Sequence, residues 1–164
     1  MAAPELVQER GLVSVEKLSP DGAAEILRVS VEEAKGMGVT GFLVVYDQFR
    51  LLLSAQAVGE GVRENHVELA MSKAKTVLFA GRASRLQREY MEEKGRTRKD
   101  YADGLETLLG GGVAIFSDPE KKKLVGAAAF AGGKEEEDEI ICSIGITRAG
   151  FYTDVTFEKY LRNS

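Results

Sequence analysis

Apolar residues along this chain recur with helical spacing in some stretches and crowd into short runs in others, and the alternation of the two predicts the order of elements. Ala23, Leu27, Val31 and Ala34 repeat at helical spacing with Ile26 beside them. Ser19-Pro20-Asp21 supplies a helix start before them: a capping hydroxyl, a proline where no N–H is missed, and an acid at the positive dipole end. Gly36 and Gly38 close that helix. The run Gly41-Phe42-Leu43-Val44-Val45-Tyr46 and the run Arg50 to Gln56, broken by Asp47-Gln48-Phe49, predict a β-hairpin without a glycine at its tip. A second helix is expected from Asn65 to about Ala80, with Val67, Met71, Ala74 and Leu78 as its apolar stripe. A charged helix should follow over 83–98. Val113 to Phe116 and Leu124 to Phe130 then read as a second hairpin around Asp118-Pro119-Glu120-Lys121. Glu135 to Ile146 reads as a last helix with Ile140, Ile141 and Ile144 inward.

Strands that come in adjacent pairs joined by tight turns make an antiparallel sheet, and the helices must cover its faces. The expected class is α+β, an antiparallel sheet flanked by helices, over one domain spanning 1–164. Residues 1–15 are expected as a flexible lead and 147–164 as a C-terminal tail. The aromatics Phe130, Phe151, Tyr152, Phe157 and Tyr160 need cover, and a neighbouring subunit of a homo-oligomer is expected to supply it.

At 164 residues the chain is long enough to bury a core without staples. Its net charge of −4 offers nothing to a phosphate backbone or an anionic lipid surface, so neither nucleic acid nor membrane is an expected partner. The single cysteine, Cys142, excludes an internal disulfide and a multi-cysteine zinc site. Neither a basic, apolar leader at the N-terminus nor an apolar run of about 20 residues is found, and a cytoplasmic location is the expectation.

Four segments resemble the GlcG/HbpS family, the haem-degrading-protein-like group that includes the C-terminal domain of PduO-type proteins. The family hairpin of the form V-V-D-x-x-x-x-L-L is resembled by Val44-Val45-Tyr46-Asp47-Gln48-Phe49-Arg50-Leu51-Leu52, with Tyr46 inserted before the acid. Its A-x-x-K-A-x-T helix motif is matched by Ala70-Met71-Ser72-Lys73-Ala74-Lys75-Thr76, and its G-G-V-P-I strand by Gly111-Gly112-Val113-Ala114-Ile115. The last strand and helix are matched by Val125-Gly126-Ala127 through Gly132, then Asp138-Glu139. Three positions depart from the pattern. Gln48 and Phe49 stand where the hairpin tip has glycines, Ala114 stands for the proline, and Ala129-Phe130-Ala131 replaces small residues. The resemblance implies a profilin-like sheet, assembly into dimers or larger rings, and haem or another tetrapyrrole as ligand in some members.

The residues that bear chemistry are few. His66, the sole imidazole, is a candidate axial ligand to haem iron or a general base, or else an ordinary first-turn helix residue. Lys73 matches the family lysine and sits among apolar positions. It is a candidate anchor for a carboxylate or a catalytic base, or else a snorkelling surface lysine. Asp47 and Glu137 are the candidate acids, with Glu137 and Asp138 also explained as first-turn acids facing a helix dipole. Tyr46, Arg50, Thr76, Gly111, Gly112, Gly132 and Asp138 complete the expected ligand-binding set, the glycines serving equally well as strand boundaries. Cys142 falls on an inward stripe and reads as a buried structural cysteine, or else a catalytic or haem-ligating thiolate. The first reading is a small-molecule-binding protein with a pocket between the sheet and helix 65–80. The rivals are a cofactor-independent enzyme acting on a small metabolite through His66, Lys73, Asp47 or Glu137, and a purely structural assembly factor.

Overall fold

The computed structural model describes residues 10–155. Ser19 caps the first helix, its Oγ accepting the Gly22 N–H at 3.0 Å, with Pro20 in the first turn. That helix, α1 (Pro20–Met37), ends at Gly38. The strands are β1 (Gly41–Asp47), β2 (Leu52–Val58), β3 (Gly112–Phe116) and β4 (Leu124–Ala131), in spatial order β2-β1-β4-β3 and antiparallel throughout. The two sequence hairpins therefore meet through β1 and β4, which pair from Phe42↔Ala131 to Asp47↔Gly126.

Because strand side chains alternate, the sheet has two apolar faces. Leu43, Val45, Val113, Ile115, Ala128 and Phe130 face α1 and the last helix, α4 (Glu135–Arg148). Val44, Tyr46, Ala114, Phe116, Ala127, Ala129 and Ala131 face α2 (Glu64–Ala80), which presents Ala70, Ala74 and Val77. Alanines on both sides of this second interface let helix and sheet approach closely. The α2–sheet interface is filled by side chains where a ligand pocket was expected.

The charged helix, α3 (Ser84–Lys94), is shorter than its charge pattern suggests, ending at Gly95 ahead of a 3-10 turn at Arg98–Asp100. The aromatic residues need less cover than expected. Phe130 is fully buried in this chain's own core, and Phe151 packs partly against it. Tyr152 bonds through its backbone to Phe116, N–H to O at 3.0 Å and the reverse at 2.8 Å, which shields the β3 edge. Phe157 and Tyr160 lie outside the described residues. Among the described residues no strand or bridge pairs with the outer edge of β2.

Candidate functional site

Lys73 and Asp138, expected at a ligand pocket, face each other inside the protein. Lys73 Nζ lies 3.0 Å from Asp138 Oδ2 and 3.0 Å from the Phe130 carbonyl, and both side chains are nearly inaccessible. Asp138 Oδ1 also accepts the Gly133 N–H at 2.9 Å. Burial pushes the Asp138 carboxyl up to about 6, against the opposing pull of the Lys73 ammonium. Gly111 makes room for the pair. Its φ is +119°, and a Cβ there would stand 2.7 Å from Lys73 Nζ and 2.8 Å from Asp138 Cβ. A Cβ on Gly112 would likewise stand 2.7 Å from the Lys73 carbonyl oxygen. Thus Lys73, Asp138, Gly111 and Gly112 are brought together, but as a closed polar knot that no substrate reaches.

A second group begins one helical turn further along α2. Thr76 is buried and its Oγ1 accepts the Thr107 N–H at 3.1 Å. Next to that loop, the Tyr46 hydroxyl is buried without a hydrogen-bond partner. Its acidity is weakened first by burial and then by the Glu106 carboxylate, with Arg50 acting the other way. Asp47 is a turn former. Its Oδ1 accepts the Phe49 N–H at 2.8 Å and the Leu51 N–H at 3.0 Å, and its Oδ2 lies 3.4 Å from Lys17 Nζ. These bonds hold the tip with Arg50 at φ +66°, the left-handed position a glycine usually takes. The tip thus turns without glycine, Arg50 taking the left-handed position and Asp47 holding the turn through its neighbours' N–H groups.

His66 and Glu137 do the work of helix caps. His66 Nδ1 accepts the Arg63 N–H at 3.0 Å, which places the imidazole proton of the neutral ring on Nε2. Glu137 accepts the Lys134 N–H at 2.8 Å in the same relation to α4. A Cβ on Gly132 would meet the Thr40 carbonyl at 2.2 Å, so its smallness serves strand packing. Cys142 is fully buried and its thiol is pushed well up by desolvation, the inert state expected of it. Among the described residues no three His, Cys, Asp or Glu side chains are grouped to hold a metal ion.

A ladder of ion pairs outside the candidate residues joins α3 and α4. Arg85 Nε meets Glu139 at 2.8 and 3.1 Å, and Arg88 meets Glu135 at 2.7 and 3.1 Å. Glu135 also accepts the Gly110 N–H at 2.7 Å, and hydrogen bonding to Arg88 holds its carboxyl below the usual range. The signal was present: arginines three apart and glutamates four apart each share one helix face.

What remains open is the α2-side face of β2. That helix lies over β1, β4 and β3. In register, Ala57 opposes Phe42, Ala55 opposes Val44 and Leu52 opposes Tyr46, so all three point to the α2 side. Ala55 and Ala57 are exposed and Leu52 is 41% exposed. Phe49 and Leu51 at the adjoining hairpin tip are also exposed, at 64% and 54%.

A profile of the family described as "Haem degrading protein HbpS-like" matches residues 18–147, and the chain belongs to that family. Among solved structures it is similar to HbpS, with 24% identity, a TM-score of 0.72, and coverage of 85% of this chain and 94% of that one. A double mutant of HbpS from Streptomyces reticuli gives 23% identity and a TM-score of 0.73, covering 85% and 92%. The heme complex of PduOC gives 22% identity and 0.71, covering 83% and 97%. Among curated proteins none matches. These similarities establish the α+β fold. No helix among the described residues is long and apolar enough to cross a membrane.

Proposed function

We propose that this chain binds a small, planar, largely apolar ligand of the tetrapyrrole class on the open face of β2. Haem is the member suggested by the heme complex of a related structure. The observation that carries the reading is the uncovered strip of Leu52, Ala55 and Ala57, next to an exposed Phe49 and Leu51 at the hairpin tip. A sheet face left bare while its neighbours are packed under a helix is a surface awaiting a partner. The strip suits the face of a porphyrin, and Arg50 beside it offers a cation to a propionate. The donor set suits iron less well. His66 Nε2 carries the proton while Nδ1 caps α2, so ligation there requires loss of that proton and of the cap. Cys142 is sealed in the core. The binding reading therefore rests on apolar contact, and no step of haem breakdown is assigned to these residues.

Acid–base catalysis has less support. Of its expected groups, Lys73 is occupied by Asp138 away from solvent, and His66, Asp47 and Glu137 are held by caps and a turn. The test is a hemin titration followed by absorbance. Ala55→Glu puts a charge at the middle of the strip at an exposed position, so folding is kept. It should abolish the Soret shift seen with the native chain. A titration curve unchanged from native removes the β2 face from the proposal.

A further inference from the structure

A second concave site lies elsewhere, where the end of α2, the middle of α3 and the loop after α3 converge. The cleft, about 250 Å³, is lined by Phe79, Ala80, Arg82, Gln87, Tyr90, Arg96 and Tyr101. Two guanidinium groups share the Tyr90 ring: Arg82 lies 4.2 Å from its centroid and Arg96 5.7 Å. The two charges are thus within about 10 Å of each other, no more than a Debye length at ordinary salt. Neither has a carboxylate within ion-pair distance among the described residues, in a chain whose net charge is −4. The surrounding arginines behave otherwise: Arg85 and Arg88 each engage a glutamate. Next to Arg96 is the Tyr101 hydroxyl, which makes no well-formed hydrogen bond with the guanidinium, and the Asp100 carboxylate acts on it only from beyond ion-pair distance.

Contact with the face of the Tyr90 ring holds both cations at the cleft and leaves N–H groups on each to donate. Gln87 adds an amide to the wall although its residue is only 3% exposed, an unusual place for a polar side chain without a task. Phe79 and the Tyr90 and Tyr101 rings supply aromatic walls. The loop is held against Phe79 at Gly104, where a Cβ would fall 2.0 Å from the ring. A cation near the end of α2 also suits the helix dipole. That accounts for Arg82 alone and leaves Arg96 and Gln87 unexplained.

We infer that this cleft binds a small oxyanion carried on a ring, a phosphate monoester or a carboxylate, with Arg82 and Arg96 donating to its oxygens and the aromatic walls holding the ring. The volume is too small for a tetrapyrrole, so the site is independent of the β2 proposal. The experiment is isothermal titration of the full chain at low salt with phenyl phosphate, benzoate and inorganic phosphate. Phenyl phosphate binding tighter than benzoate assigns a phosphate ester, and the reverse assigns a carboxylate. Inorganic phosphate binding as well as phenyl phosphate overturns the aromatic part of the inference. Arg82→Gln and Arg96→Gln should each weaken binding about tenfold. Arg82→Lys should recover part of the loss, since it keeps the charge and gives up the fork. Circular dichroism of each variant separates lost binding from lost folding. If a variant unfolds, the other single variant and the lysine variant decide. No saturable heat with any of the three probes, or equal affinity in folded variants lacking either guanidinium, overturns the inference.

Discussion

Replacing Lys73 with methionine keeps the aliphatic stem and deletes the charge that Asp138 faces. Were Lys73 a rim residue, as its motif suggested, stability would hardly change. The geometry requires a large loss. Asp138 Oδ2 loses its 3.0 Å partner, in a place where Asp138 is 1% exposed and water cannot substitute. Removing one member of a buried ion pair costs about 3–5 kcal/mol. The loss must also depend on pH. Burial raises the Asp138 carboxyl from an ordinary 3.8 to about 6, so the folded chain binds this proton more tightly than the unfolded one. Its protonation therefore contributes stability that is complete below about pH 4 and is lost as pH rises through 6, about 3 kcal/mol in all. Below pH 6 the neutral carboxyl no longer needs the cation, and the Lys73→Met penalty should shrink. Urea unfolding at pH 8 and pH 5 measures both quantities. A further Asp138→Leu substitution should recover most of the loss at pH 8, since the orphaned charge is then gone. A loss below about 1 kcal/mol at pH 8, or the same loss at both pH values, refutes the ion-pair account.

Other expectations are narrower. His66→Ala removes the acceptor of the Arg63 N–H and should cost about 1 kcal/mol in urea unfolding while leaving hemin uptake intact; loss of uptake in a folded variant would make His66 a ligand after all. Arg50→Gly relieves a left-handed φ of +66° and should stabilise the chain by up to about 1 kcal/mol in thermal unfolding; a decrease would show that Arg50 is held there by contacts of its own. Gly111→Ala would force a Cβ against Lys73 Nζ at 2.7 Å and should destabilise by more than about 2 kcal/mol, with a neutral result contradicting the tight knot. The bare β2 edge and strip also favour self-association, so light scattering should give a multiple of 17.8 kDa; a monomer mass at micromolar concentration would leave that face to the ligand alone.

Local signals in the chain settled the elements well. The Ser19-Pro20-Asp21 start, the two hairpins and the apolar stripe of α1 are all decided within a few residues, and the structure has them where the pattern placed them. The end of α3 was legible less well, because a helix with few buried residues has no apolar stripe to mark its stop. The site was the harder part. A lysine among alanines and valines carries the same local signature whether it lines a pocket or is sealed against an acid. Asp138 lies 65 positions away, and spacing along one helix says nothing about it. His66 shows the same limit. Its capping role depends on the ring turning back to the Arg63 N–H, which composition cannot report. The open β2 face was invisible for a similar reason, since Leu52, Ala55 and Ala57 look like core until α2 is found to lie over β1, β4 and β3.

The central claim is that the exposed face of β2 holds the ligand while the Lys73–Asp138 knot stays closed. Amide hydrogen exchange with and without hemin measures both at once. Binding should slow exchange across Leu52–Val58 and the hairpin tip, and leave the amides of Gly111, Gly112 and Gly133 unchanged. Protection that spares β2 and falls instead around Lys73, Gly111 and Asp138 would contradict the claim.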